Sequence, residues 1–308
     1  MVKKRKGQVT IFIILAVVIV AAIIAYFLLR STGTSSLSKE MQPVYNYYQS
    51  CLERHTEQGI SLLGEQAGYI YVEELDFVSG SSYKPFSSQL DFFGQPVPYW
   101  MYVSGNNILA KQKPTLASME KELETYLEDN LDNCDFEYYY SQGYDISFSE
   151  GKVNVQIKGD RVEVSIDSPF EIDLEEQTAT VNEHDLSVNS KLGKFYSLAT
   201  EVFNYEMSEL FLENYSLDVM RLYAPVDGAE LGCSPKVFVK EEIKEDLVNA
   251  LSANVGALKL KGDYYTLSDK TNEYFITDIG QNVDEQVNFI YSPSWPTTIE
   301  IYGEDVAK

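Results

Sequence analysis

An uncharged run near the N-terminus constrains this chain more than any other feature. Residues 9–29, VTIFIILAVVIVAAIIAYFLL, carry no charged side chain. A helix rises about 1.5 Å per residue, so a run of this length spans about 30 Å, the thickness of a bilayer's hydrocarbon core. A removable secretory signal has a shorter apolar core, of about 7–15 residues, followed by a cleavage site with small residues. The run therefore predicts a transmembrane helix over 9–29 that stays in the protein.

Basic residues flank this run asymmetrically. Positions 3–6 are all Lys or Arg, whereas Arg30 alone follows the run closely. Because basic flanks of a membrane helix are retained in the cytoplasm, residues 1–8 are predicted to be cytoplasmic. Residues 30–37, rich in Ser and Thr, are expected to form a linker. Residues 31–308, which include most of this linker, are then predicted to lie outside a single-pass cell membrane.

The junction between the basic residues and the apolar run resembles the processing site of archaeal class III type IV pilin precursors. Members of that family are cut after Gly on the cytoplasmic face, which leaves Gln first and a Ser-like residue third. Gly7, Gln8 and Thr10 match this pattern. Phe12 departs from it, because the family carries Glu at the fifth mature position. The resemblance implies cleavage between Gly7 and Gln8, and an uncut anchor is the alternative.

The exported part is strongly acidic and rich in aromatic residues. All 47 acidic residues follow residue 30, whereas five of the 24 basic residues do not, which leaves a net charge of −28 on the exported part. Phosphate binding requires a basic surface, so nucleic acid and anionic lipid surfaces are excluded as partners. Aromatic residues make up 13% of the chain, a content that is typical of folded rather than disordered domains.

Apolar residues recur at three- and four-residue spacing in several stretches, as in amphipathic helices. Such helices are predicted over about 38–67, from Pro114 to about Cys134, over about 190–214 and over about 240–251. Short strands are expected at 69–72 and 99–103.

A meander is predicted between residues 144 and 174. Apolar and polar residues alternate strictly in this stretch, as in strands with one buried face. Turns at Glu150-Gly151 and Gly159-Asp160 divide it into antiparallel strands. The helix over about 190–214 is expected to cover the buried face.

Helix and strands occur in the same order again beyond residue 226, with strands expected near 264–267, 274–279, 287–291 and 298–302. The predicted fold class is therefore α+β: an N-terminal transmembrane helix followed by amphipathic helices packed on antiparallel β-meanders. The ectodomain is expected to form two lobes, 38–225 and 226–308.

Three cysteines favour one disulfide and one odd thiol outside the cell. Cys51 lies on the apolar stripe of the first predicted helix, and Cys134 ends the apolar face of the second. Because two such faces pack together in one core, we predict a disulfide between Cys51 and Cys134. Cys233 is then the odd thiol, and a pairing of Cys51 with Cys233 is the alternative.

Catalytic motifs do not emerge from the sequence, which contains no HExxH, GxSxG, P-loop or GxGxxG pattern. His55, one helical turn after Cys51, is interpreted as a partly buried, hydrogen-bonded core residue, and His184 as a surface residue in a polar turn. Pairs such as Glu73-Glu74 and Glu175-Glu176 fit glycoside hydrolysis in principle. Since acidic pairs arise freely among 47 acidic residues, we predict no catalytic, cofactor or metal site.

Two tryptophans and one sequon are the candidate contact sites. Trp100, in PVPYWMY, and Trp295, in SPSWP, lie beside prolines. Exposed aromatic residues there could stack on a sugar or on a partner protein, and aromatic residues that close the edge of a core are the alternative. Asn214 begins the glycosylation sequon Asn214-Tyr215-Ser216.

The layout also resembles an uncharacterised family of archaeal single-pass surface proteins. The residues that carry the resemblance are GQVTIFIIL at 7–15, SCLERHTEQGISLLGEQAGYI at 50–70, PYW at 98–100, NLDNC at 130–134 and LGCSPKVF at 231–238. The resemblance implies archaeal origin and exposure at the cell surface. It implies no activity and no catalytic residue.

The sequence thus favours a non-catalytic, membrane-anchored surface protein that binds an extracellular protein or glycan, or serves in adhesion. Its bilayer contact is expected through residues 9–29. A minor pilin-like subunit processed after Gly7 is the alternative. A surface glycoside hydrolase that uses paired carboxylates is the third hypothesis. A deep cleft lined by two carboxylates with a strongly raised pKa would favour it.

Overall fold

The computed structural model describes residues 37–72, 88–103, 108–225, 237–263 and 273–291. The helices in these ranges are α1 (Gln42–Glu65), α2 (Leu116–Glu128), α3 (Glu137–Ser141), α4 (Leu192–Glu209), α5 (Phe211–Tyr223) and α6 (Lys240–Ala257). The strands are β1 (Gln89–Phe92), β2 (Gln95–Pro98), β3 (Met101–Val103), β4 (Leu109–Lys111), β5 (Tyr144–Phe148), β6 (Lys152–Ile157), β7 (Arg161–Leu174), β8 (Gln177–Asn189), β9 (Lys259–Leu260) and β10 (Ile276–Thr277).

The predicted transmembrane helix over 9–29 lies outside the described residues. Among the helices within those residues, none combines the length and the apolar character that crossing a bilayer requires.

The α+β class with antiparallel sheets is confirmed. Antiparallel pairs form between β1 and β2 and between β3 and β4. The largest sheet within the described ranges has four strands, with the order β5-β7-β6 and with β8 also paired to β7. The short pair β9 and β10 is parallel.

The described residues form two compact units, each made of several segments. The first contains the described residues up to Gly59, Leu123–Gln156 and Val162–Val188. The second contains the described residues of Ile60–Glu122, Ile157–Arg161 and the described residues from Asn189 onward. The predicted lobe boundary at residue 226 lies outside the described residues and stays a prediction.

The apolar stripe of α1 builds the core of the first unit. Val44, Tyr48 and Cys51 are buried on it, as the helical spacing predicts. The ring of Tyr48 stacks on Phe170 of β7, with ring centroids 4.2 Å apart and planes only 4° from parallel. Phe136 and Phe148 complete this cluster. In the first unit α1 therefore covers the sheet, a role that we predicted for the helix over 190–214.

Gly59 allows a close approach of α1 and α2. A Cβ atom at this position would stand 2.3 Å from Cδ1 of Leu123 and 2.9 Å from Cδ1 of Tyr126, well inside van der Waals contact. The glycine therefore serves helix packing, and α1 continues through it to Glu65.

The predicted strands between residues 144 and 174 are confirmed as β5, β6 and β7, but their order is not that of a meander. Both β5 and β6 pair with β7, so Glu150-Gly151 does not fold β6 back onto β5 as predicted. β7 runs unbroken through Ser168 and Pro169 for 14 residues. Buried Ser168 stays within the strand because its hydroxyl donates to the carbonyl oxygen of Ser149, at 2.6 Å. Residues 177–189 form a further strand, β8, which also pairs with β7. No strand was predicted there, because this stretch carries few apolar residues.

Three glutamates of α2 cover the edge of β6, which ends the strand order of the sheet. The backbone N–H groups of Val153, Val155 and Ile157 donate to the carboxylates of Glu128, Glu124 and Glu120, at 3.3, 3.2 and 2.9 Å. Four residues of helix rise about 6.0 Å and two residues of strand about 6.6–6.8 Å, so the two spacings nearly match. We call these three residues the glutamate ladder. It satisfies edge N–H groups that would otherwise be open to pairing with another chain.

Several predicted elements have different bounds in the structure. The second helix ends at Glu128 rather than near Cys134, and the Asn130 side chain then donates to the carbonyl oxygen of Tyr126, at 2.7 Å, in place of further helix. The helix over 190–214 is two helices, because Leu210 adopts a left-handed conformation with φ 52° and ψ 43°.

The short strands agree less well with their predictions. Residues 69–72 and 287–291 form no strand, while β3 and β10 occupy parts of the predicted strands 99–103 and 274–279. The strands predicted at 264–267 and 298–302 lie outside the described residues.

Replacing a member of the glutamate ladder tests its role. Glu120→Ala removes the acceptor for the Ile157 N–H, and we expect a loss of about 1–2 kcal/mol in the free energy of unfolding, measured by urea titration. Glu120→Gln keeps an acceptor oxygen and should lose less. Glu57→Ala, at an exposed glutamate of α1, is the control, and an equal loss in Glu57→Ala and Glu120→Ala would contradict a role for the ladder.

Candidate functional site

Trp100 lies in the wall of a cavity in the second unit. It stands between β2 and β3 and is half-buried. Its indole N–H donates to the carbonyl oxygen of Ala67, at 2.9 Å, and its ring meets the ring of Phe203 edge-on, at 5.7 Å. Trp100 is therefore held in one orientation. The other candidate aromatic residue, Trp295, lies outside the described residues.

Lys113 fixes the same ring from another side. Its ammonium nitrogen lies 5.4 Å from the centre of the Trp100 ring and 4.9 Å from that of Tyr196. It also donates to the Tyr196 hydroxyl, at 3.0 Å, and this hydroxyl donates to the carbonyl oxygen of Pro114, at 2.9 Å. This cation–π arrangement makes the indole a rigid part of the wall.

The cavity beside Trp100 has a volume of about 670 Å³. Most of its lining is apolar and comes from residues 98–100, from α4 and from residues 285–288. A cavity of this size and lining lies within the range of about 300–1,000 Å³ that is usual for ligand sites.

A second cavity, of about 700 Å³, adjoins the first and shares Leu212 and Asn288 with it. Its lining is also largely apolar, and Phe92 and Phe93 contribute to it. Phe93 is 92% exposed, at the tip of the hairpin formed by β1 and β2. The apolar surface of the second unit thus extends over both cavities, and we call it the cavity surface.

The conformation of Phe93 is unusual for its residue type. Phe93 and Gly94 both have positive φ, at 54° and 88°, as in two-residue turns of type I′. Asn, Asp or Gly satisfies such a turn at the first position far better than Phe does. Its ring lies edge-on to that of Phe92, with centroids 4.7 Å apart, and the two rings extend the apolar lining of the second cavity to the hairpin tip.

Glu206 brings a carboxyl group with an unusual pKa to the first cavity. Burial raises its pKa to about 7, and a hydrogen bond with the Glu213 carboxyl group adds to the shift. The backbone N–H of Leu212 donates to Oε2 of Glu206, at 2.9 Å. This hydrogen bond stabilises the ionised carboxylate and partly offsets the rise in pKa. Glu206 thereby caps the first turn of α5, just after the break at Leu210.

Glu285 lines the same cavity and is shifted in the opposite direction. The ammonium groups of Lys191 and Lys194 donate to its Oε1, at 2.8 and 3.1 Å. These hydrogen bonds lower the pKa of Glu285. Two carboxyl groups of the cavity therefore differ in charge near neutral pH, since Glu285 is ionised and Glu206 is partly protonated.

The structure joins Cys51 and Cys134 in a disulfide, the pairing that the two helix faces predict. The sulfur atoms are 2.08 Å apart and the Cα atoms 6.0 Å apart. Cys134 lies beyond the end of α2 rather than on it. Ligand atoms of Cys51, His55 and Cys134 all lie within 4.8 Å of one another. Cys233 lies outside the described residues.

His55 is partly buried, as predicted, but its Nδ1 is buried without a hydrogen-bond partner among the described residues. The interpretation of His184 is wrong. His184 is fully buried on β8 rather than exposed in a turn. Its Nε2 lies 2.9 Å from the carbonyl oxygen of Ser168 and its Nδ1 3.1 Å from the Tyr45 hydroxyl. Burial lowers the pKa of His184, so it serves as a neutral member of the core.

The other predicted site residues do not converge on the cavity surface. Asn214 is exposed on α5, and its side-chain amide donates to the carbonyl oxygen of Glu209, at 3.1 Å. Glu175 and Glu176 are exposed in the turn between β7 and β8. The residues outside the described ranges are Gly7, Gln8, Glu73 and Glu74.

Sequence reasoning missed Glu206, Glu285 and Lys113. A signal exists for Glu206, which follows Phe203 by three residues on the apolar side of its helix, where a carboxyl group is out of place. No comparable pattern marks Glu285 or Lys113, whose partners are distant in the sequence.

No protein-family model, curated protein or solved structure matches the chain. The resemblance to archaeal surface proteins therefore stays a prediction, and functional inference rests on the site itself.

The raised pKa of Glu206 predicts a pH dependence of stability. The folded chain holds this proton more tightly than the unfolded chain, so the stabilisation is present below the ordinary pKa of about 4.5 and is lost as pH rises through about 7. Glu206→Gln keeps the cap but has no proton to lose. Relative to the natural protein, we expect the free energy of unfolding of Glu206→Gln to increase by about 1 kcal/mol as pH rises from about 5 to about 8, after allowance for partial exposure.

Urea titrations across this pH range measure the difference. The lowered pKa of His184 has the opposite effect on the free energy of unfolding, because the stabilisation from neutral His184 is lost as pH falls. The difference between the two proteins, rather than either curve alone, therefore isolates Glu206. Glu209→Gln, at an exposed neighbour, is the matched control, and a difference that does not change with pH would contradict the shift.

Proposed function

We propose that the chain is a non-catalytic, membrane-anchored protein of the cell surface, whose acidic α+β ectodomain binds a partner through the cavity surface. The anchor is the uncharged run at 9–29, and the basic residues before it favour an N-terminus in the cytoplasm. The disulfide between Cys51 and Cys134 supports an oxidising compartment.

Phe93 is the single observation that carries the binding role. A side chain that is 92% exposed at a hairpin tip contributes little to folding, yet it occupies a turn position that disfavours it. Large aromatic side chains of this kind act as anchors in protein interfaces. The adjoining cavities offer apolar pockets in which a partner's side chains can be buried.

The largely apolar lining of the first cavity favours a protein partner over a glycan. A sugar carries many hydroxyl groups, and each one needs a hydrogen-bond partner when it is buried. Little of the exposed lining of the first cavity is polar, and one of its polar residues, Glu285, is already bonded to Lys191 and Lys194. An apolar segment of an extracellular protein therefore fits the cavity surface better.

Hydrolysis is the second candidate, favoured by the two oppositely shifted carboxyl groups in one cavity. In glycosidases an acid with a raised pKa works with a free carboxylate. Glu206 meets the first requirement. Glu285 fits the role of a free carboxylate less well, because Lys191 and Lys194 both donate to its Oε1. The arrangement thus supports binding better than hydrolysis.

Replacing Phe93 by Asn separates folding from binding. Asn suits a turn of type I′, so we expect the stability of Phe93→Asn to be unchanged or higher. With a photoreactive amino acid at Ala199 in the first cavity, a crosslinked adduct should form on intact cells and should weaken severalfold in the Phe93→Asn background. The same photoreactive residue at exposed Glu57 is the control. An adduct that Phe93→Asn leaves unchanged would exclude the cavity surface as the docking site.

Topology and processing are tested on the same cells. Protease added outside should digest the region after Arg30 and spare residues 9–29, and protection of the ectodomain would overturn the proposed orientation. Mass spectrometry of the mature chain distinguishes a pilin-like N-terminus cut after Gly7 from an uncut anchor. A chain that begins at Gln8, with cleavage blocked in Gly7→Leu, would support the pilin-like alternative, whereas intact residues 3–6 would leave a plain anchor.

A further inference from the structure

We propose that Cys51, His55 and Cys134 bind a divalent cation such as Zn²⁺ when their disulfide is reduced. The same three residues then hold either a sulfur–sulfur bond or a metal ion. This inference rests on the geometry of the first unit and is independent of the proposed binding function.

The distances support exchange of the disulfide for a metal. Ligand atoms of the three residues lie within 4.8 Å of one another. Zinc binds thiolate sulfur at about 2.3 Å, so two sulfurs on one tetrahedral zinc lie about 3.8 Å apart. The Cα atoms of Cys51 and Cys134 are 6.0 Å apart. Rotation about the two Cα–Cβ bonds can therefore bring the reduced sulfurs to that separation, and the backbone need not move.

His55 supplies the nitrogen ligand that such a site needs. It follows Cys51 by four residues on α1, so the two side chains are neighbours on one helix face. Its Nδ1 is buried without a hydrogen-bond partner in the described part of the chain, which is costly for a polar atom. A zinc ion beside the ring would give the histidine a strong polar contact that the disulfide form does not provide.

The chemistry requires reduction first, because a disulfide sulfur is not a thiolate. A dithiol reductant transfers two electrons and two protons to the sulfur–sulfur bond and is itself oxidised to a disulfide. The cation then displaces the two thiol protons and binds two thiolates and the imidazole. Water fills the fourth position, as in other sites with three protein ligands.

The surroundings of Cys134 suit both steps. Cys134 is only half-buried, which gives a reductant access to one sulfur, whereas Cys51 is buried. Asp132 and Asp135 are exposed on either side of Cys134. Their negative charges raise the local concentration of cations near the site.

Cobalt titration tests the proposal on the full-length chain in nanodiscs, in a Cys233→Ser background. The chain is reduced with dithiothreitol, desalted under argon and titrated with Co²⁺. We expect a thiolate-to-cobalt charge-transfer band that saturates at one equivalent and disappears on addition of Zn²⁺. The oxidised chain should show no such band, which also separates this site from loose binding to surface carboxylates.

Variants then assign the ligands. We expect His55→Ala to weaken Co²⁺ binding at least tenfold and Cys134→Ser to remove about half of the band, while Glu57→Gln leaves both unchanged. An unchanged affinity in His55→Ala would overturn the three-residue site, and absence of the band in the reduced chain would overturn metal binding altogether. If reduction lowers the helical circular dichroism signal, Zn²⁺ should restore it, and failure to do so would also overturn the proposal.

Discussion

The stacking of Tyr48 on Phe170 is the contact on which the first unit depends. The two rings lie 4.2 Å apart and nearly parallel, and they fix both the position and the rotation of α1 on the sheet. Once α1 is held in this way, Cys51, one turn further along, faces Cys134, and His184 lies edge-on to Tyr48 at 5.2 Å. The disulfide therefore reinforces the same arrangement that the aromatic packing holds. It also closes a loop across 83 residues, which restricts the unfolded chain.

The glutamate ladder explains how so acidic a chain uses part of its charge. Glutamates opposite an apolar helix face usually remain in solvent, and repulsion among them destabilises a helix. Here Glu120, Glu124 and Glu128 accept hydrogen bonds from every second residue of β6. The contact works because four residues of helix and two of strand have almost the same length. The carboxylates of α2 thus satisfy the backbone N–H groups at the exposed edge of β6.

Local periodicity predicts much of this fold, and long-range contacts account for what it misses. The buried stripe of α1, the alternation of β6 and β7 and the pairing of Cys51 with Cys134 all follow from repeating patterns. The strand β8 does not, because one of its few buried positions is a histidine, His184, whose polar atoms bond to Ser168 and Tyr45. The cluster of Cys51, His55 and Cys134 shows no metal-binding spacing, since its third member is 83 residues from its first.

The break at Leu210 connects local strain to the candidate site. A leucine in the left-handed region costs about 1 kcal/mol or more, and nothing in its sequence marks it for that conformation. The turn frees the N–H groups at the start of α5, and the Glu206 carboxyl group accepts from Leu212 there. That bond holds the carboxyl group in the apolar wall of the cavity, where burial raises its pKa to about 7. If the proposed partner covers this cavity, it would remove more water from Glu206 and favour its protonated form, which would link binding to proton uptake at this residue.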